Sequence, residues 1–205
     1  FFPSQDPVFS ILATFASYTV TLIMRPLGSA IFGIYGDKFG RKKSMIITIL
    51  GFSVATFAVG LLPTYAVVGV LAPVLLILVR RIQGIFAGGE WGSGAVLTIE
   101  SIPKQKRGLL SGFLQSGFSF GFLLAAISFQ ILTIIFPGHL FEEFGWRILF
   151  FTGIIPGFVA LFVRLSMDES PLWIKKCKED GLEKTPLRSI VFGIHRKEFL
   201  LCAAI

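Results

Sequence analysis

Five long apolar stretches, separated by short polar segments, limit this chain to few folds. A helix needs about 20 apolar residues to cross about 30 Å of bilayer hydrocarbon. Backbone groups facing lipid must form their hydrogen bonds within the segment, so such stretches predict membrane-spanning helices. The stretches cover residues 8–35, 45–63, 70–99, 109–136 and 146–163, and a further apolar run begins at residue 199. The predicted fold class is all-α, a polytopic membrane helix bundle.

Composition agrees with this fold class. Of the 205 residues, 54% are apolar and 15% are charged, whereas about a quarter of a soluble domain is charged. This deficit excludes an ordinary cytosolic domain, and 23 Phe residues exclude a solvated, disordered chain. Cys177 and Cys202 provide no disulfide framework.

The distribution of basic residues predicts the orientation. Segments 36–44, 100–108 and 164–198 carry fifteen Lys and Arg residues, whereas segments 1–7, 63–69 and 137–145 carry none. Positively charged loops face the cytoplasm. The net charge of +7 is therefore interpreted as a topology signal, and no nucleic-acid partner is expected. We expect a multi-pass protein of the plasma membrane.

The ends of the chain indicate a piece of a longer protein. The sequence begins with Phe1, and no charged n-region of a signal peptide precedes the first stretch. We expect five spans over residues 1–167, a central cytoplasmic linker over 168–197, and the start of another span over 198–205. An amphipathic stretch around residues 172–177 is expected to lie on the membrane surface.

Arg25 is the first of four basic residues within or beside the apolar stretches. It lies about 18 Å of helix rise from Asp37 and about 28 Å from Asp6, too far to reach either surface. A guanidinium at this depth needs a partner, water or a substrate. One interpretation is an interhelical ion pair or a bond to carbonyls freed by Pro26. The other is substrate binding or coupling. Arg147 follows Trp146 at an outer span end and is interpreted as a structural anchor.

Arg80 and Arg81 lie in the third stretch, where consecutive helical residues point about 100° apart. Arg80 shares a face with Gln83 and Gly84, and glycines at 84, 88 and 92 recur every fourth residue. Such a strip permits close helix packing. Arg80, with Gln83, is therefore a candidate functional cation, and structural pairing is the alternative.

Glu90 lies ten residues beyond Arg80, toward the cytoplasmic end of the same stretch. A carboxyl group within a transporter span can take up and release a proton. Glu90 is therefore a candidate proton relay, and a static ion pair with a neighbouring basic residue is the alternative. Glu100 is expected at a cytoplasmic interface.

Sites for enzymatic chemistry are missing from the sequence. His139 and His195 have no Cys or carboxylate at metal-ligand spacing, and no phosphate-binding loop or nucleophile elbow is present. We therefore expect no metal, no cofactor and no enzymatic activity.

The first inner loop carries the most specific motif. It reads Gly-Ile-Tyr-Gly-Asp-Lys-Phe-Gly-Arg-Lys-Lys over residues 33–43. This resembles the signature between the second and third helices of the major facilitator superfamily. The resemblance implies a gate loop at the cytoplasmic side, with candidate residues Gly33, Asp37, Lys38, Gly40, Arg41 and Lys42.

The third stretch extends this resemblance. Residues 80–84, Arg-Arg-Ile-Gln-Gly, look like the fourth-helix pattern whose Arg, here Arg80, is associated with proton coupling. Residues 88–92, Gly-Gly-Glu-Trp-Gly, and 145–147, Gly-Trp-Arg, resemble the metabolite:H+ symporter branch, with likeness to sialate and carboxylate carriers. The chain matches helices two to six and the start of the seventh. The implied fold is part of the N-terminal half of a twelve-helix bundle, and its partners would include the missing first helix and C-terminal half.

The function that this resemblance implies is proton-coupled symport of a small organic anion, a carboxylate, by alternating access. Arg25 and Arg80 would attract the anion, with Glu90 as the proton relay. The alternatives are a uniporter or exchanger of a neutral or zwitterionic solute, and a membrane receptor that keeps the carrier fold without transport.

Overall fold

A computed structural model of the chain describes residues 1–3 and 6–179, and every regular element within them is helical. A single-turn 3-10 helix covers Lys104–Lys106 and a π-helical turn covers Phe141–Gly145. The α-helices are α1 (Pro7–Phe39), α2 (Arg41–Leu61), α3 (Tyr65–Val68), α4 (Leu71–Ser101), α5 (Arg107–Ile135), α6 (Trp146–Thr152), α7 (Ile154–Ser166) and α8 (Pro171–Glu179).

Five helical segments are long and apolar enough to cross a membrane, which confirms the predicted all-α class and the number of spans. They are Val8–Phe39, Arg41–Leu61, Leu71–Ser101, Arg107–Ile135 and Phe141–Ser166. Most of the predicted linker, the expected start of a further span, His195 and Cys202 lie outside the described residues.

Helix ends follow local sequence signals. Asp6 accepts a hydrogen bond from the Val8 amide at 2.9 Å, with Pro7 in the first turn of α1, which is an ordinary helix start. Gly40, with φ of +110°, separates α1 from α2. The last span is divided between α6 and α7 because Pro156 cannot donate to the carbonyl of Thr152.

Helix α4 forms the centre of the packing. It contacts α1 over most of its length and α2 on another side, while α2 also packs against α6 and α7. Helix α5 has few contacts with the other described helices. Its Leu109, Phe113 and Phe122 side chains are about three-quarters exposed, as is usual for residues that face lipid or another helix.

Candidate functional site

Helices α1 and α4 cross so closely that their backbones are in contact. The candidate site lies beside this crossing. A Cβ atom added to Gly28 would lie 2.8 Å from Ile85 Cα, and one added to Gly88 would lie 2.7 Å from Arg25 Cα. One added to Gly92 would lie 2.7 Å from Ser29 Oγ. The predicted packing role of the glycine strip at 84, 88 and 92 is therefore confirmed. A similar contact joins Gly157 to Ser53, whereas glycines 108, 112, 117 and 121 have no described atom within 4 Å.

A cavity of about 780 Å³ lies on the cytoplasmic side of this crossing, and we call it the inner cavity. Its wall is mostly apolar but carries two cations and one carboxyl group, Arg25, Arg164 and Glu90. Polar side chains of α5 complete it, together with apolar side chains of α2, α4 and α5. These further lining residues include Ser29, Phe52, Trp91, Ser111, Gln115 and Phe118.

Arg25 projects from α1 into the inner cavity. The Arg25 backbone packs against Gly88, so the glycine strip of α4 fixes the position of the Arg25 Cα. Within the described residues, the Arg25 guanidinium has no hydrogen bond or ion pair. Arg25 therefore lines the inner cavity, and its roles in substrate binding or in structural pairing stay predictions.

Glu90 and Arg164 reach the inner cavity from α4 and α7, and the two side chains interact electrostatically. Arg164 Nη2 lies 3.9 Å from the position that a Cβ on Gly94 would occupy. Gly94 is one helical turn from Glu90 on the same face of α4. The Arg164 guanidinium therefore lies against the face of α4 that carries Glu90.

Arg80 and Gln83 are placed elsewhere, nearer the outer side. Gln83 is buried, donates to Thr56 Oγ1 at 3.0 Å and accepts from Arg80 Nη1 at 3.5 Å. Arg80 lines a second cavity of about 400 Å³, the outer cavity, with Ser17, Glu142 and aromatic side chains. Arg80 Nε is buried with no hydrogen-bond partner among the described residues.

The two arginines expected to attract an anion therefore face different cavities. Arg25 is level with Gly88, which is eight residues from Arg80, or about 12 Å of helix rise. Glu90 lines the inner cavity together with Arg25, whereas Gln83 accepts a hydrogen bond from Arg80. The sequence did not indicate this division.

The predicted gate residues surround the turn between α1 and α2. Asp37 pairs with Arg41 at 3.2 Å, and Arg41 Nε lies 3.0 Å from Glu100 Oε2. The positive φ of Gly40 makes the tight turn possible. The Asp37 pairing and the Gly40 turn therefore agree with the sequence, and Glu100 reaches the same turn from the end of α4.

The remaining gate residues have distinct environments. Lys42 Nζ donates to the carbonyl of Leu165 at 2.9 Å, which joins this turn to the end of α7. Lys38 is exposed and lies over the ring of Phe39 at 5.1 Å. Gly33 has no described atom within 4 Å of an added Cβ.

The segment after α7 folds onto this turn, which the sequence analysis missed. Glu169 accepts from the Lys42 amide at 3.1 Å and so caps α2. Ser170 bonds the Glu100 carboxylate and caps α8 by accepting from the Trp173 amide at 3.2 Å. Trp173 Nε1 donates to the carbonyl of Asp37 at 3.0 Å. The Ser-Pro pair at 170–171, a helix-start signal, could have located α8 but not its partners.

Arg164 is the other residue that sequence reasoning missed, because it was counted only among the cytoplasmic charges. Arg147, interpreted as an anchor, donates to the carbonyls of Gly60 and Leu62 at 2.9 and 3.0 Å and caps α2. No group of three or more His, Cys, Asp or Glu side chains that could hold a metal occurs in the part of the chain that the structure describes.

Known proteins similar to this chain are membrane carriers. The family profile described as "Sugar (and other) transporter" matches residues 8–189. The inner membrane metabolite transport protein YhjE of Escherichia coli K12 is 38% identical over 93% of this chain and 43% of its own length. The shikimate transporter of the same strain is 40% identical, over 83% of this chain and 39% of its own.

A proline/betaine transporter of Salmonella typhimurium is 35% identical over the whole chain and 43% of its own length. The chain thus spans less than half the length of these curated relatives. Among solved structures, the proton:xylose symporter XylE of E. coli, bound to 6-bromo-6-deoxy-D-glucose, superposes with a TM-score of 0.76. The match covers 98% of this chain and 43% of that chain at 21% identity, a level at which the likeness is one of fold.

Proposed function

Because the chain belongs to the sugar (and other) transporter family of the major facilitator superfamily, we propose that it forms part of a proton-coupled symporter of small organic anions. The family comprises multi-pass proteins of the plasma membrane that act as transporters, not enzymes. In this proposal the chain supplies helices two to six, with the linker over residues 168–197 and a seventh helix from residue 198. The first helix and a C-terminal half would complete the site between the two halves.

The charge pattern of the inner cavity carries the proposal. Arg25 and Arg164 place two guanidinium groups in a mostly apolar wall, and Glu90 supplies one carboxylate. An arginine can bind a carboxylate through two parallel hydrogen bonds. A small organic anion would therefore find a cationic site within the spanning region, where an uncompensated charge is costly.

Glu90 is the proposed proton carrier. Arg164 interacts electrostatically with it and Arg25 lines the same cavity, so its ionised form is compensated when the cavity holds no anion. Protonation of Glu90 would leave both cations available to a substrate carboxylate. Proton and anion would then favour each other's binding, which is the thermodynamic requirement for symport.

Arg80 and Gln83 are proposed to act on the outer side. Arg80 lines the outer cavity, its buried Nε has no partner in the described residues, and Gln83 links its guanidinium to Thr56 of α2. A substrate carboxylate, or an acidic residue from a helix that this chain does not contain, would satisfy this donor.

The turn between α1 and α2 is proposed as the inner gate. Asp37, Arg41 and Lys42 link α1, α2, α4 and α7 through ion pairs and hydrogen bonds. Such a network at one end of a bundle can have two arrangements, which alternating access requires. Gly40 allows the reversal, while Gly33 and Lys38, predicted in a loop, lie in the last two turns of α1 because the helix continues to Phe39.

The full-length protein in proteoliposomes tests the proposal. Uptake of a panel of radiolabelled carboxylates and zwitterions is measured with an inward proton gradient, with and without protonophore. We expect accumulation of a carboxylate that collapses with protonophore. Arg25→Gln should abolish this uptake, while Arg81→Gln, an exposed arginine of α4, is the matched control. Uptake unchanged in Arg25→Gln would contradict the proposed role of the cation.

Transport of a zwitterionic or neutral solute is the second candidate. The inner cavity carries both signs of charge, so Arg25 could bind a carboxylate while Glu90 faces a cationic group. The similarity of this chain to a proline/betaine transporter favours this candidate. Uptake of a zwitterion but of no anion would favour it, and insensitivity to protonophore would indicate a uniporter or exchanger. Saturable binding without flux would favour a receptor.

A further inference from the structure

We propose that Arg164 is a counterion shared between Glu90 and the carboxylate of the substrate, and thus a specificity-determining residue at the end of the last span. This inference rests on the proposed anion symport. It assigns a role to a residue that the sequence placed only among the topology-determining charges.

The first argument is the room left for the side chain. Arg164 is in the last turn of α7, yet its guanidinium extends to α4, 3.9 Å from the Cβ position of Gly94. Any side chain at Gly94 would also meet Met45 Cε at 3.3 Å. The Arg164 guanidinium thus packs at contact distance on the face of α4 that carries Gly94 and Glu90.

The second argument is that Arg164 keeps most of its hydrogen-bonding capacity. Among the described residues, the only hydrogen bond of its guanidinium goes to Met167 Sδ at 3.7 Å, and thioether sulfur is a weak acceptor. A guanidinium has five N–H donors. Several of these donors remain for Glu90 on one side of the cavity and for an incoming anion on the other.

The third argument is the balance of charge around Glu90. Among the described residues, the charged groups that line the cavity with Glu90 are Arg25 from α1 and Arg164 from α7. In the same part of the chain, α2 and α5 contribute to the wall side chains that do not titrate in this range, Phe52, Ser111, Leu114, Gln115 and Phe118. Ionised Glu90 competes with a substrate carboxylate for Arg164, whereas protonated Glu90 does not. Substrate affinity should therefore fall as pH rises through the titration of Glu90.

The test measures KM and maximal rate of carboxylate uptake against pH, in proteoliposomes of the full-length protein. In the wild type, KM should rise with pH. Arg164→Gln should raise KM at low pH by about tenfold or more, as expected for loss of a charge-assisted bond, and should flatten the pH profile. Arg164→Lys, which keeps the charge, should retain the profile.

Two further variants separate binding from structure. Glu90→Gln should keep the low KM at high pH and support carboxylate counterflow, but lose accumulation driven by the proton gradient. Arg81→Gln serves as the matched control, because this exposed arginine of α4 is outside both cavities. Thermal unfolding of each variant in detergent reports whether it is folded.

The outcomes distinguish the inference from the function on which it rests. No carboxylate uptake by the wild type overturns the proposed function, and the inference with it. Proton-coupled carboxylate uptake with an unaltered KM and pH profile in Arg164→Gln overturns the inference alone. A lower melting temperature and maximal rate in Arg164→Gln, with the wild-type pH profile, assigns Arg164 to helix packing and also overturns it.

Discussion

The crossing of α1 and α4 at Gly88 gives a quantitative prediction for Gly88→Ala. The new Cβ would lie 2.7 Å from Arg25 C and Cα, and closer still to the Arg25 carbonyl oxygen. Carbon atoms in contact are about 3.5–4.0 Å apart, so the helices must separate by about 0.8 Å or more. Overpacking of this kind costs about 1–3 kcal/mol. The backbone atoms of Arg25 cannot move out of the way as a side chain can.

Gly92→Ala is the matched comparison, one turn along the same face. Its Cβ would meet Ser29 Oγ at 2.7 Å, and a hydroxyl can change rotamer at a cost of about 1 kcal/mol or less. Adding Ser29→Ala should therefore rescue Gly92→Ala, whereas it should not rescue Gly88→Ala.

Thermal unfolding of the purified full-length protein measures these differences. A loss of about 1–3 kcal/mol should lower the melting temperature of Gly88→Ala measurably, and Gly92→Ala should stay near the wild type. The reasoning is refuted if Gly88→Ala melts at the wild-type temperature, or if Gly92→Ala is the less stable of the two variants.

Three further predictions concern the helix ends. Arg147→Gln should lower the free energy of unfolding by about 1.5–3 kcal/mol, because two carbonyls of α2 lose a charged donor; unchanged thermal stability would contradict this. Glu169→Ala should cost about 0.5–2 kcal/mol through loss of the α2 cap, and Glu169→Gln, which keeps an acceptor oxygen, should recover part of it. Arg41→Gln and Glu100→Gln should be non-additive in unfolding by about 0.5–3 kcal/mol, and strict additivity would show that the pair is not coupled.

Several features of the site could be predicted from single residues and their spacing. A glycine every fourth residue at 84, 88 and 92 indicated a close crossing, since side chains four apart share a helix face, and the structure has that crossing against α1. Asp37 and Arg41 are also four residues apart and pair within one turn of the chain. Gly40 sits where the chain reverses between two basic, helix-forming segments. Each of these features depends on local geometry only.

The partners of Arg164, Glu169 and Trp173 could not be predicted in this way. Each contacts a residue 70 to 140 positions earlier in the chain, and no periodicity links such distant positions. The same holds for Arg25 and Arg80, which looked equivalent as buried cations but face different cavities. Which cavity each enters depends on how α1 and α4 are shifted along each other.

The sequence by itself determined the class of this protein, because hydrocarbon imposes a length and an apolar composition on every segment that crosses it. It also predicts an orientation, through the segregation of its Lys and Arg residues. Only the tertiary structure decided that Glu90, Arg25 and Arg164 line one cavity while Arg80, hydrogen-bonded to Gln83, lines another. The physical reason is that apolar helices can pack in lipid in many registers, and small residues such as Gly28 and Gly88 select one of them by allowing the closest approach.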